Sequence, residues 1–160
     1  MTDVDIDDTD RRLVDGLLAD GRASANELAQ AVGIATATAT KRVQALEDAG
    51  VIEGYRPDID YTAFGFDVTA VFHLDVAGDG LESVVSDLRD VPHMVGVYEV
   101  TGSHDVVAIG KFTDTERLNA RIKDLLTDPM VESVATSVVL ETVCERDPLP
   151  VADVGDDGPT

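Results

Sequence analysis

The sequence predicts an α+β protein in two parts: a winged helix-turn-helix domain over residues 1–61, then a ferredoxin-like βαββαβ domain over 62–146, followed by an acidic tail at 147–160. Three observations predict it. Two short apolar stripes at helical spacing, each closed by a glycine, precede a third helix rich in Thr, Lys, Arg and Gln. Beyond Asp67 the apolar pattern changes to period two and then alternates strand, helix, strand, strand, helix, strand. Finally, 44% hydrophobic residues in 160 are enough for two small cores, while no apolar run approaches the roughly 20 residues of a membrane span.

The first helix is expected to start at Asp7 or Asp8, whose carboxylates can accept from free backbone amides. It should bury Leu13, Val14, Leu17 and Leu18 and end at Gly21. Ser24 and Glu27 have the spacing of a capping box, opening a second helix through Leu28, Ala29 and Val32, with the turn at Gly33. The third helix covers roughly Thr36 to Ala49, with Ala39, Val43 and Leu46 on one side and Gly50 closing it. Val51–Tyr55 reads as a strand, and Ile59–Tyr61 as its return strand or the lead into the next domain.

In the second part, Val68 to Val76 alternates apolar residues with Thr69, His73 and Asp75. Leu81, Val84, Val85 and Leu88 mark a helix stopped by Pro92. Val95–Thr101 and Asp105–Phe112 are strands joined by Gly102-Ser103-His104. A helix over Thr115–Thr127 and a last strand, Val131–Val143, complete the order. Such a sheet carries helices on one face only, and runs such as Val106-Val107-Ala108-Ile109 are apolar on both sides, so a second subunit is expected over the other face. The tail, with Pro148, Pro150, Gly155, Gly158 and four aspartates, is expected to be disordered.

Chemistry enters at the third helix. At 100° per residue, Ala37, Thr38, Lys41, Gln44 and Asp48 lie opposite the apolar stripe, with Thr40 and Arg42 on the flanks. Lys41 can donate to guanine, Gln44 can pair bidentately with adenine, and threonine methyls such as that of Thr38 can touch thymine; Ser24, Thr36 and Arg42 suit phosphates. Double-stranded DNA is the expected partner, and a two-fold pair of such helices fits a palindromic site.

The net charge of −20 opposes this and needs an explanation. Aspartate supplies 23 of 32 acidic residues and only three lysines occur, spread as in proteins of organisms that keep molar salt inside the cell. At about 1 M salt the Debye length is ~3 Å, so long-range repulsion nearly vanishes. The charge is also uneven: residues 1–57 hold six basic against eleven acidic residues, residues 58–160 six against twenty-one. The half expected to meet DNA is the less repulsive.

Several stretches together resemble the leucine-responsive, Lrp/AsnC family of regulators: Asp7-Asp8-Thr9-Asp10-Arg11-Arg12-Leu13, Ser24 to Ala29, Val32-Gly33-Ile34, Lys41 to Glu47, and Gly50 to Tyr55. Val100-Thr101-Gly102-Ser103-His104-Asp105 and Ala135 to Leu140 extend the resemblance to roughly residues 6–146. Ala35 departs from it, since the family commonly has Ser there, so the cap of the third helix must come from Thr36 or water. The resemblance implies a transcription regulator with a small-molecule effector, usually an amino acid, bound near the glycine loop, and a homodimer with assembly as far as an octamer open. At such a loop Thr101, Gly102, Ser103, His104 and Thr136 would contact the effector, loop amides and Thr136 meeting a carboxylate, while Asp105 accepts from an ammonium group. A plain inter-strand turn, with Gly102 serving backbone geometry and Asp105 capping its own loop, is the alternative there.

No catalytic residues, metal site or cofactor are expected: His73, His93 and His104 are on separate elements and Cys144 is the only cysteine. Cys144 reads as a small apolar residue; a reactive thiol would need an activating base. The start MTDVDIDD lacks the basic and apolar segments of a secretory signal, so a cytoplasmic location is expected. The runner-up is a sirohaem decarboxylase-like enzyme of the same architecture, weakened because no arginine lies between Arg89 and Arg117 to bind substrate carboxylates.

Overall fold

The computed structural model describes residues 5–152 and divides into two compact units, one formed by the chain up to Asp58 together with the segment from Cys144 onward, the other by Ile59–Val143. Among the described residues no helix is long and apolar enough to cross a membrane.

The first unit contains α1 (Asp8–Ala19), α2 (Ala25–Val32) and α3 (Thr36–Asp48). Asp7 caps α1 by accepting from the Asp10 amide at 2.9 Å, while the Asp10 carboxylate accepts from the Asp7 amide at 3.2 Å. These carboxylates also sit at the positive end of the helix dipole. The core is small: Leu13, Leu28, Ala29 and Ala39 are buried, with Leu17, Val32, Ile34 and Val43 packed around them. Leu18, expected inside, is 43% exposed, because it lies 100° beyond the Leu13–Leu17 stripe. Gly33 ends α2 at φ +83°, the left-handed backbone that makes the turn into α3.

The expected hairpin does not form within the chain: residues 51–60 contain no strand. The Val51 and Ile52 amides instead donate to the Leu46 carbonyl, satisfying the end of α3, and Tyr55 donates to Glu47 at 2.7 Å. Further on, Ile59–Tyr61 leads into the second unit and does not return as a strand, with Asp60 capping a short 3-10 helix, Tyr61–Phe64. An isolated two-stranded ribbon is marginal, and here local capping partners outcompete it. Of the tail expected to be disordered, residues 147–152 are described, with the Val151 and Ala152 amides bonded to Asp15 of α1, while residues 153–160 lie outside the described residues.

The second unit contains β1 (Val68–Val76), α4 (Leu81–Arg89), β2 (Met94–Glu99), β3 (Val106–Phe112), α5 (Thr115–Thr127) and β4 (Val131–Val138). The sheet is antiparallel with order β2-β3-β1-β4, the ferredoxin-like topology. Strand alternation sends Ala70, Phe72, Leu74 and Val76 of β1, and Val106, Ala108 and Phe112 of β3, into one core with Val84, Leu88, Leu118 and Leu125 of the helices. The opposite face carries Val71, His73, Val107 and Ile109, all half-buried. β4 is shorter than expected. The Val139 amide still bonds Thr69, but β1 begins at Val68, so later residues have no strand beside them and Leu140 is 99% exposed.

Candidate functional site

Two surfaces carry the residues singled out by the sequence. In the first unit, Ala37, Thr38, Lys41, Gln44 and Asp48 of α3 lie on the side opposite buried Ala39 and Leu46, and all five are exposed. Around that face, side chains are held by local bonds. Ser24 caps α2: its hydroxyl and its amide both donate to the Glu27 carboxylate at 2.7 Å, and its oxygen accepts from the Glu27 amide. The Ser24 amide, with the hydroxyl second, holds the Glu27 carboxyl below its usual range. Thr36 does not cap α3, whose N-cap position is held by Ala35 with no side-chain hydrogen bond; the Thr36 hydroxyl donates to Asn26 of α2 at 3.2 Å. Thr40 donates back to the Thr36 carbonyl at 2.9 Å, and Gln44 donates to Asp48 at 3.0 Å.

Arg42 differs most from its expected role. Its Nη1 lies 2.8 Å from Asp7 and 2.9 Å from Asp10, clamping α3 to the start of α1. The bonds to Asp10 and Asp7 push the guanidinium pKa up, while the Asp7 carboxyl is held down first by the Asp10 amide and then by Arg42. The flank position that seemed suited to a phosphate faces the acidic first turn of α1 instead.

In the second unit, Thr101, Gly102 and Ser103 are exposed on the turn between β2 and β3, with Gly102 at φ +124°. The Val100 amide closes the turn onto the Asp105 carbonyl at 2.9 Å. Asp105 is anchored by both ends: its amide donates to Leu74 at 3.0 Å and its Oδ2 accepts from the Val76 amide at 2.8 Å. His104 Nδ1 lies 2.9 Å from Asp75 Oδ1, and the Ser133 hydroxyl donates to the other oxygen of the same carboxylate. Ser133, then His104, hold the Asp75 carboxyl below its ordinary value. The His73 ring stands 5.2 Å from that of His104.

Thr136 is not part of this group. It pairs with Phe72, on the helix-covered face, and its buried hydroxyl has no hydrogen-bond partner among the described residues. Ser133, Ala135 and Ser137 occupy the face that carries His73 and Asp75, so the period of two sends Thr136 the other way. Sequence reasoning does not reach Asp75 and Ser133. Asp75 stands out only as a polar alternate of β1, and nothing in the linear chain links it to a serine 58 positions later.

A helix-turn-helix with an exposed polar third helix, joined to a ferredoxin-like domain with a structured glycine turn, defines a DNA-binding regulator with a ligand-binding domain. Residues 6–53 match the winged helix-turn-helix DNA-binding model, and residues 69–149 match the Lrp/AsnC ligand binding domain. The chain belongs to the Lrp/AsnC family. An uncharacterized HTH-type transcriptional regulator of Pyrococcus furiosus is 34% identical over 89% of this chain and 96% of its own length. HTH-type transcriptional regulator FL11 of Pyrococcus horikoshii is 32% identical over 92% and 98%. Among solved structures, the L-Met complex of transcriptional regulator NMB0573 from Neisseria meningitidis superposes with TM-score 0.85 at 25% identity, covering 91% of this chain and 96% of that one. E. coli AsnC shares the fold with TM-score 0.81 at 24% identity, over 88% and 96%. Relatives named as regulators along nearly their whole length do not favour the sirohaem decarboxylase alternative.

Proposed function

We propose that this regulator works in the cytoplasm as a homodimer that reads a palindromic DNA site through Thr38, Lys41 and Gln44 and changes its DNA binding when an amino acid occupies the Thr101–Asp105 turn. The observation that carries the reading is the outward face of α3, polar along Thr38, Lys41 and Gln44 above a buried Ala39–Leu46 stripe. Ser24, Thr36 and Thr40 border that face, and their hydroxyls can reorient to donate to phosphates, whereas Arg42 orients the helix. An amino-acid effector is supported by the L-Met complex of the Neisseria protein. At the turn, Thr101, Gly102 and Ser103 offer exposed donors to a carboxylate; Asp105 Oδ1 remains for an ammonium group, since Oδ2 holds the Val76 amide. Dimerisation is supported by the half-buried Val71, Val107 and Ile109 on the sheet face without helices. The acidic composition fits operation in molar salt, where short contacts decide DNA binding.

Mapping of bound genomic DNA at molar KCl, with and without the individual amino acids, tests this. Enrichment of a palindromic motif that shifts with one amino acid is expected. Binding without sequence preference sinks the reading, and a motif indifferent to every amino acid removes the effector assignment.

A further inference from the structure

The geometry points to residues 144–152 as a strap: the chain leaving β4 returns to the DNA-binding unit and clasps α1 through Asp15 and Arg11, giving the chain beyond the ligand-binding unit a hydrogen-bonded hold on the helix that positions α3. Residues 141–150 are all exposed, Leu149 at 76%, and then the character of the chain changes. Val151 and Ala152 are half-buried, and both their amides donate to one carboxylate, Val151 to Asp15 Oδ1 at 2.7 Å and Ala152 to Oδ2 at 3.0 Å. One turn earlier on the same face of α1, Arg11 donates to the Val151 carbonyl at 3.3 Å. Three bonds therefore converge on two consecutive residues, using both oxygens of an acid that α1 does not need for its own capping. Pro148 and Pro150 restrict the approach to extended backbone, so the strap arrives stiff rather than coiled.

The consequence follows from connectivity. The ligand-binding unit joins the DNA-binding unit at Asp58–Ile59 and again at Val143–Cys144. From Val143 to Val151 the chain can span at most about 26–29 Å, so displacement of the second junction is bounded once the clasp is closed. α1 is one continuous capped helix. Its first turn holds Arg42 of α3 through Asp7 and Asp10, and its middle holds the strap. Tension on the tail reaches α3 through α1 and its bonded side chains. The regulatory meaning of the strap rests on α3 contacting DNA; the clasp and its effect on α3 do not.

Amide hydrogen exchange on the full chain, on Asp15→Ala and on a chain ending after Pro148 decides it. In the full chain, Val151 and Ala152 should exchange about tenfold or more slower than exposed Thr142 and Asp147, and Asp15→Ala should erase that protection. Both variants should speed exchange of the α3 amides from Thr40 to Leu46 severalfold while leaving β1 and β3 unchanged. Unprotected Val151 and Ala152 in the full chain would overturn the clasp. A clasp whose loss leaves α3 exchange as in the full chain would overturn the transmission. Should Asp15→Ala fail to fold, the shortened chain, which alters no helix residue, settles whether α3 responds.

Discussion

The two units are held together in different ways. The ligand-binding unit rests on one apolar core in which Phe72, Leu74, Val106 and Phe112 are at most 1% exposed and two helices share the sheet's inner face. Among the described residues, the DNA-binding unit has four in its buried cluster, two of them alanines, and it is joined as much by polar clamps: Arg42 to Asp7 and Asp10, Thr36 to Asn26, and Asp15 to the tail. Burial is non-directional and tolerates sliding only at the cost of cavities. Charged hydrogen bonds fix direction and can be exchanged for others. The unit that meets a polyanion is thus the one whose geometry depends on electrostatics, and the unit that receives ligand depends on area.

The largest effect tests the core. Phe72→Ala should cost about 3–5 kcal/mol, read by thermal unfolding, with exchange protection lost in the sheet. Equal loss across α1–α3 would show the units unfolding as one. Next, Lys41→Ala or Gln44→Ala should weaken operator binding by about 1–3 kcal/mol and relax sequence preference without changing assembly, measured by fluorescence anisotropy on matched and mutated sites. Unchanged preference would move base reading to another surface.

Arg42→Ala sharpens the contrast further. As a clamp residue it should lower the melting temperature of the first unit and leave the salt slope of DNA binding alone; a slope reduced by about one would identify a phosphate contact instead. In the second unit, Asp75 lies below its ordinary value of 3.8 because Ser133 and His104 bond its charged form. Its contribution is complete above that value and is lost as pH falls through the lowered folded value, so Asp75→Asn should flatten the acid limb of unfolding below about pH 4. An unchanged limb would show that other carboxylates govern it. The smallest effect concerns ionic strength: because the net charge of −20 must be screened, operator affinity should fall less from low to molar KCl than counterion release alone dictates, or rise. A steep conventional loss would remove the high-salt account.

Much of this architecture is legible in the chain. Capping residues Asp7 and Ser24, the Gly33 turn and the period-two run of β1 act within a few residues of themselves, so sequence spacing reports them. The outward face of α3 follows from the same arithmetic. The hairpin expected after α3 fails because a strand needs a neighbour, and the amides of Val51 and Ile52 find a helix carbonyl first. The site is half legible. The Gly102 turn is visible as a motif, but the face of Thr136 depends on register with Phe72, and the partners of Asp75 come from another strand and a turn.

By itself the sequence determined which segments become helix or strand, the stretch after α3 excepted, and which side of each is apolar, because propensity, capping and periodicity are short-range properties. Only the tertiary structure decided that Arg42 clamps α1, that Asp75 gathers His104 and Ser133, and that the tail returns to Asp15. Those pairings span 29 to 137 positions, and a hydrogen bond is specified by distance and direction in space, which no spacing along the chain encodes.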